Sequence, residues 1–287
     1  MTDRHDFAVT TITVADGVAV AEVDNPPVNL MTRELFGDLR ALPDHLADHT
    51  DARVLILRSA NPDYFIAHYD VELILAAPTD GSAERPTRLH GFHRMCERYR
   101  TMDIPVLCEI DGRVGGGGGE LAASCDMRFG TVGRTILCQM EVPLGILPGG
   151  SGTQRLPRLL GRGPAMEIVL GGDDIDAATL ERWGWLNRAL PPGELRPHVE
   201  GLASRIASFP TEAVRQAKAA VLAAGPDPTE GLLTEAHRFQ QTLRDPAASR
   251  RMEAFLAQGG QTPAGEFRVG ALGAELGDER GSTEGRP

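Results

Sequence analysis

Five consecutive glycines, Gly115–Gly119, are the feature that most constrains how this chain can fold. A glycine run costs backbone entropy on folding, so it is expected where the chain turns tightly or approaches another group closely. The run lies between Val106–Ile110, which is typical of a buried strand, and Glu120–Ser124, which favours a helix. A helix that begins there presents unpaired N–H groups and a positive dipole end. The run therefore predicts either a packing turn or a site for an oxygen that is, or becomes, negative.

Three familiar glycine motifs do not explain the run. A phosphate-binding P-loop ends in Gly-Lys-Ser/Thr, whereas this run ends in Gly119-Glu120. The dinucleotide pattern GxGxxG matches weakly, and only if it is slid within Gly112–Gly117. The nucleophile elbow GxSxG fails because Gly149–Thr153 has threonine in its last position.

Short strands alternate with helices along the first half of the chain. Phe7–Val14 and Val18–Val23 are rich in β-branched residues and predict a hairpin. Thr32–His49 has helical spacing, and Arg53–Arg58 is a short apolar run typical of a buried strand. Strands separated by helices need crossover connections, so the pattern predicts an α/β fold.

Helical patterns dominate from about Gly152 onward, and they divide the chain into three expected regions. We expect a core over residues 1–205 and a C-terminal helical region over residues 206–262, with Ala247–Ala257 as its last helix. The residues after Thr262 are rich in glycine and glutamate and have few apolar anchors. Residues 263–287 are therefore expected to form a flexible tail.

The acidic composition narrows the classes of partner. The chain has 40 Asp+Glu against 29 Lys+Arg and a net charge of −11, which argues against nucleic acid or an anionic membrane as the main partner. No apolar run approaches the about 20 residues that a membrane helix needs, and the N-terminus lacks a signal pattern. We expect a cytoplasmic protein. The 4 cysteines form no CxxC pair, so we expect buried thiols and no metal site.

Two carboxylates near the glycine run are candidates for proton transfer. Glu120 follows the run directly, and Glu141 follows a strand-like segment. Two carboxylates can move protons onto and off a substrate if the fold brings them together. A single glutamate is far more often a solvated surface residue, so the residues alone leave both interpretations open.

The segment around the glycines, Ile110–Asp126, resembles the central signature of the crotonase (enoyl-CoA hydratase/isomerase) superfamily. Four further segments agree with that family in order and spacing: Val54–Asp70, Glu141–Gly150, Gly152–Leu156 and Ala165–Gly172. The resemblance covers roughly residues 8–258. It implies a spiral of ββα units with a helical C-terminal trimerisation region.

The resemblance implies an acyl-CoA thioester as substrate and no separate cofactor, because coenzyme A is part of the substrate. The thioester carbonyl would lie between two backbone N–H groups, those of Gly117 and Tyr69. Tyr69 belongs to the segment Phe65–Asp70, where the family has Phe-x-Ala-Gly-x-Asp. Ala67 and Asp70 of this segment are also expected to contact the acyl-CoA.

Glu120 and Glu141 match the two carboxylates of family members that hydrate 2-enoyl-CoA thioesters. The resemblance implies that Glu120 deprotonates the attacking water and that Glu141 protonates Cα. Three alternatives stay open: double-bond isomerisation, hydration followed by retro-aldol cleavage, and a thioester-binding protein with little turnover. A homo-oligomer, as a trimer or a dimer of trimers, is implied as well.

Two positions depart from the family pattern beside these residues. His68 stands where the family usually has glycine, and it either faces the acyl pocket or serves as a spacer in its loop. Met140 replaces a common proline before Glu141. Both departures bear on the pose of the site and on the natural acyl group.

Overall fold

A computed structural model describes residues 3–48 and 51–276. The strands are β1 (Asp3–Asp6), β2 (Thr10–Ala15), β3 (Val18–Val23), β4 (Val54–Ser59), β5 (Tyr64–Ile66), β6 (Val106–Ile110), β7 (Arg113–Gly115), β8 (Met127–Thr131), β9 (Ile136–Cys138), β10 (Ile175–Asp176) and β11 (Arg188–Leu190). The helices are α1 (Arg33–Asp48), α2 (Val71–Leu75), α3 (Gly91–Thr101), α4 (Gly116–Ser124), α5 (Gly152–Leu160), α6 (Arg162–Gly171), α7 (Ala177–Trp183), α8 (Leu195–Ala207), α9 (Thr211–Ala223), α10 (Thr229–Leu243), α11 (Pro246–Ala257), α12 (Pro263–Glu266) and α13 (Val269–Glu275).

The strands of the described residues form two sheets. The larger sheet has the order β1-β2-β3-β4-β6-β8-β11, and the smaller has the order β10-β9-β7-β5. The predicted hairpin is present as the antiparallel pair of β2 and β3. From β3 to β11 the larger sheet is parallel, and its strands β4 and β6 are buried apolar runs because helices cover a parallel sheet on both faces.

The chain repeats one pattern of two strands and a helix. The strands β4, β6 and β8 lie in the larger sheet, and the strand that follows each of them, β5, β7 or β9, lies in the smaller sheet. A helical segment then returns the chain to the larger sheet. This arrangement confirms the predicted α/β class and its ββα units.

The smaller sheet determines where the loops meet. Its strands β5, β7 and β9 are mutually parallel. Their carboxyl ends, Ile66, Gly115 and Cys138, therefore lie at one edge of the sheet. The segments that leave this edge are the Tyr69 loop, the glycine run and the loop that carries Glu141, so the topology brings three distant parts of the sequence together.

The C-terminal segment corrects one prediction. Residues 263–276 are not a flexible tail, because they form α12 and α13 and pack into a second apolar core with α11. Val269, Leu272 and Leu276 recur at helical spacing and are almost fully buried. Residues 277–287 of the predicted tail lie outside the described residues. The expected boundary after residue 205 falls within α8.

Two further features bear on the sequence predictions. Cys96, Cys108, Cys125 and Cys138 are all buried, as predicted. In the part of the chain that the structure describes, no helix is both long and apolar enough to cross a membrane.

Candidate active site

The three loops at the edge of the smaller sheet enclose a cavity of about 490 Å³. Its wall is mainly apolar and includes Phe36, Val71, Leu144, Ile146, Phe239 and Leu243. A few polar groups converge on it, among them Glu120, Glu141 and His68. An apolar cavity with a few convergent polar groups is the usual form of a small-molecule site.

The glycine run packs backbone against backbone beside this cavity. The helix α4 begins within the run, at Gly116, rather than after it as the sequence predicts. A Cβ on Gly118 would lie 2.3 Å from the Ile66 carbonyl oxygen, and one on Gly115 would lie 2.6 Å from that of Ala67. Gly116 has φ of +40°, which also favours glycine. The run is therefore a close-packing element that places the start of α4 at the cavity.

Two backbone N–H groups at the cavity lack an acceptor among the described residues: those of Gly117 and Tyr69. Gly117 lies in the first turn of α4, where a helix leaves its N–H groups unpaired. Beside Tyr69, the N–H of Met31 donates to the His68 carbonyl at 2.8 Å, and the Asp70 N–H donates to Met31 at 3.3 Å.

In this parallel pairing Met31 bonds to the residues on either side of Tyr69, so the Tyr69 N–H points away from Met31. The two residues with unpaired N–H groups are close together, since a Cβ on Gly117 would lie 3.4 Å from the Tyr69 Cβ. They form a pair of donors at one wall of the cavity.

Glu120 projects from α4 and is only 3% exposed. Its Oε1 accepts hydrogen bonds from the N–H groups of Gly150 at 2.8 Å and Gly152 at 2.7 Å. Burial raises the pKa of Glu120 to about 8, and the nearby charge of Glu235 adds to the rise, although the two N–H donors oppose it. The side chain is thus fixed in position and able to exchange a proton near neutral pH.

Glu141 follows β9 and is 8% exposed. The N–H of Ile146 donates to the backbone carbonyl of Glu141 at 3.0 Å and fixes the loop. The Oε2 of Glu141 is buried and has no hydrogen-bond partner among the described residues. Burial raises the pKa of Glu141 to about 8, and the charge of Glu120 contributes to the rise.

The two carboxyl groups therefore form a coupled pair in one cavity. Burial and mutual repulsion disfavour two charges at once, so at least one of the two groups holds a proton near neutral pH. A pair that shares protons in this way can present one group as a base and the other as an acid.

Comparison with known proteins agrees with this architecture. Residues 13–260 match the family model described as "Enoyl-CoA hydratase/isomerase". The chain belongs to this family. It falls within the crotonase superfamily, as the sequence resemblance implies.

Solved structures give the same result. A "putative enoyl-CoA hydratase" from Streptomyces avermitilis is 35% identical with a TM-score of 0.88, and the match covers 96% of this chain and 100% of that one. DspI from Pseudomonas aeruginosa is 28% identical with a TM-score of 0.70, over 84% of this chain and 97% of that one. An enoyl-CoA hydratase from Mycobacterium avium subsp. paratuberculosis shares the fold at 20% identity and a TM-score of 0.76, over 88% of this chain and 97% of that one.

Within this family fold, the residues predicted from the sequence fall into two groups. Glu120, Glu141, Tyr69 and Gly117 all lie in the cavity wall. Ala67 and Asp70 lie beside the wall, and the Asp70 carboxylate caps α2 by accepting from the Glu72 N–H at 3.0 Å. The contacts of Ala67 and Asp70 with coenzyme A stay a prediction.

Sequence reasoning missed two buried acidic residues near the site, Glu235 and Glu266. Glu235 stands on the apolar face of α10 between Leu232 and Ala236. A charged residue at an apolar position of a helical pattern could have indicated a buried carboxylate. Glu266 offered no comparable signal, because it falls in the segment that was expected to be a tail. Each of these carboxylates contacts a histidine, His93 or His68.

Proposed function

We propose that this protein adds water across the double bond of a 2-enoyl-CoA thioester. The observation that carries the proposal is the pair Glu120 and Glu141, two buried and protonatable carboxyl groups in the wall of one apolar cavity. Hydration needs a base for the water and an acid for the neighbouring carbon, and these two groups can supply both. Membership of the enoyl-CoA hydratase/isomerase family supports the acyl-CoA thioester as substrate.

In the proposed reaction the thioester carbonyl accepts hydrogen bonds from the N–H groups of Gly117 and Tyr69. These two hydrogen bonds become stronger as the carbonyl oxygen gains the negative charge of an enolate. Removing one such preorganised donor costs about 3–4 kcal/mol of transition-state stabilisation. The proposal is supported by the absence of competing acceptors for both N–H groups among the described residues.

The proton transfers then balance in two parts. Glu120, as carboxylate, takes one proton from water while the water oxygen bonds to Cβ and the double-bond electrons move onto the thioester. Glu141, as carboxylic acid, gives its proton to Cα and the enolate collapses. The product is a 3-hydroxyacyl-CoA, and proton exchange between the two carboxyl groups and solvent restores the starting state.

A panel of short-chain, long-chain and aryl 2-enoyl-CoAs tests the proposal, with products identified by mass spectrometry. Hydration adds the mass of one water to the thioester. An unchanged mass with a shifted double bond would instead indicate an isomerase, and a released aldehyde would indicate retro-aldol cleavage. Binding of the thioesters with no change in mass would indicate a binding protein.

We also propose that the protein self-associates. Met166 and Leu170 lie one turn apart on α6 and are 52% and 61% exposed, and Val221 on α9 is 73% exposed. Neighbouring exposed apolar side chains, such as the two on α6, favour a surface that another chain covers. Light scattering on purified protein would measure the mass, and a monomer at micromolar concentration would contradict the proposal.

A further inference from the structure

His68 lies in the wall of the cavity and is only 3% exposed, so its ring must satisfy its hydrogen bonds within the protein. Its Nδ1 lies 2.8 Å from the Tyr69 carbonyl oxygen, and its Nε2 lies 3.1 Å from Oε1 of Glu266. A carbonyl oxygen and an ionised carboxylate can only accept, and a neutral imidazole has a single N–H to donate. Two acceptors on the two ring nitrogens therefore require both nitrogens to donate.

The surroundings of Glu266 fit an ionised carboxylate. The N–H of Gln261 donates to the same Oε1 at 2.8 Å, so this oxygen receives two donors. Burial opposes ionisation of Glu266, but the charge and hydrogen bond of His68, the Gln261 N–H and the charge of Arg113 together lower the pKa of Glu266. In the same way burial opposes the charged form of His68, but Glu266, the Tyr69 carbonyl and the charge of Glu141 together raise the pKa of His68.

His68 of this pair stands beside Glu141. A Cβ on Gly116 would lie 2.9 Å from the His68 Cβ and 3.1 Å from Oε1 of Glu141, so both side chains border the same point. Among the described residues, the other charges that act on Glu141 come from Glu120 on α4 and Glu235 on α10, both acidic, and the buried Cys138 thiol of β9 also lies near Glu141. On the far side, Arg113 of β7 faces Glu266 and is paired with Asp174 at 2.5 Å.

The C-terminal segment 261–266 is attached to the Tyr69 loop by two further contacts. Oε1 of Gln261 accepts from the Val71 N–H at 2.6 Å, and the Tyr64 hydroxyl donates to the Pro263 carbonyl at 2.8 Å. Together with the His68–Glu266 pair, these contacts hold the loop at both sides of Tyr69. The segment is itself anchored because α13 packs into the second apolar core.

We propose that His68 is a positioning residue: as an imidazolium held by Glu266 and the Tyr69 carbonyl, it fixes the Tyr69 loop and supplies the positive charge beside Glu141. The proposal rests on the proposed function in naming Glu141 and the Tyr69 N–H as the groups that it serves. It assigns a role to the position where the family usually has glycine. It also assigns the C-terminal segment a place in the site.

Nuclear magnetic resonance of the full chain tests the charge without relying on turnover. In wild-type protein at about pH 7 we expect the ¹⁵N shifts of His68, assigned by their loss in His68→Gln, to show both nitrogens protonated. Glu266→Gln removes the charged partner, so we expect His68 to lose its proton at the same pH. The control is Glu275→Gln on the neighbouring α13, whose side chain is 52% exposed, and it should leave His68 unchanged.

The second readout is the titration of the Glu141 carboxyl carbon, assigned with Glu141→Gln. Folded His68→Gln should raise the pKa of Glu141 by at least about half a unit, because it removes a positive charge and leaves acidic neighbours. His198→Gln on α8, where His198 packs against Phe129 at 5.2 Å, is the matched histidine control. If His68→Gln does not fold, His68→Asn takes its place in the same titration.

A neutral His68 in wild-type protein at about pH 7, or an unchanged Glu141 titration in the folded variant, would overturn the proposal. These results are separable from the proposed function. A charged His68 and a shifted Glu141 in a protein that hydrates no 2-enoyl-CoA would support the pair and contradict the hydratase. An active hydratase with a neutral His68 would do the reverse.

Discussion

The carboxylates of Glu120 and Glu235 are bound by alternate N–H groups of residues 150–153, the end of one loop and the first two residues of α5. The first and third N–H groups donate to Glu120 Oε1 at 2.8 and 2.7 Å. The second and fourth donate to Glu235 at 2.7 and 2.9 Å. The loop thereby couples α4 to α10, and Ser151 accommodates it with φ of +111°. The position of Glu120 depends on an acidic residue that does not itself need to touch the substrate.

Glu235→Gln should therefore alter Glu120. The charge of Glu235 helps to raise the pKa of Glu120, so its removal should lower that pKa and move the acid limb of the kcat–pH profile to lower pH. The glutamine amide also places its own N–H group against the N–H donors of Ser151 and Thr153, which disturbs the segment that holds Glu120. We therefore expect kcat at the optimum pH to fall about tenfold with KM nearly unchanged. Steady-state kinetics between about pH 5 and pH 10 would measure both effects.

The matched control is Glu230→Gln on the same helix, α10, where the side chain is 80% exposed. It should leave both kcat and the acid limb as in the wild type. An unchanged acid limb in a folded Glu235→Gln protein would show that Glu235 does not act on Glu120.

Glu141→Gln should stabilise the protein at alkaline pH. The pKa of Glu141 is about 8 in the folded protein, against the usual value of 4.5 that we take for the unfolded chain. Between these values the unfolded chain releases a proton that the folded protein keeps, so rising pH lowers the free energy of unfolding. Glutamine cannot ionise and avoids this loss. We expect a gain of roughly 4 kcal/mol at about pH 8 that vanishes near pH 4.

Urea unfolding of the wild type and Glu141→Gln across this pH range would measure the gain. Glu72→Gln, at an exposed position of α2, serves as the control. A gain that is the same at both ends of the pH range would contradict the burial of an ionisable carboxyl group.

Gly118→Ala should destabilise the protein strongly. Its Cβ would lie 2.3 Å from the Ile66 carbonyl oxygen, and backbone on both sides cannot yield easily. We expect a loss of about 3 kcal/mol or failure to fold. Gly163→Ala on α6 is the matched change, since no described heavy atom lies within 4 Å of its Cβ and alanine favours a helix by about 1 kcal/mol. Equal melting temperatures of the two variants would contradict the backbone packing.

Leu272→Ala tests the ordered C-terminal segment. Leu272 is fully buried in the second apolar core, and a large-to-small change there costs about 2–5 kcal/mol. Val132→Ala, at a 45% exposed position, should change the free energy of unfolding by less than about 0.5 kcal/mol. Chemical unfolding of both variants is the measurement. A harmless Leu272→Ala would mean that residues 263–276 form a tail after all.

The sequence predicted the parts of this molecule that depend on local pattern. The hairpin, the buried strands and α1 follow from periodicity and turn residues, and the glycine run identified the place where the backbone packs tightly. The partners of the glutamates could not be predicted, because Glu235 and Glu266 come from helices more than 100 residues after Glu120 in the chain. The α12–α13 segment was missed because its apolar residues are few. They stabilise a helix only by packing into the second apolar core, which is not visible in the local sequence.

The most direct test of the account is hydration of a 2-enoyl-CoA in ¹⁸O-labelled and, separately, deuterated water. The account predicts one ¹⁸O on Cβ and one deuterium on Cα in the wild-type product. Glu120→Gln should slow the reaction by about 10²–10⁴-fold and leave thioester binding nearly unchanged. A product without ¹⁸O, or full activity in both Glu120→Gln and Glu141→Gln, would contradict the account.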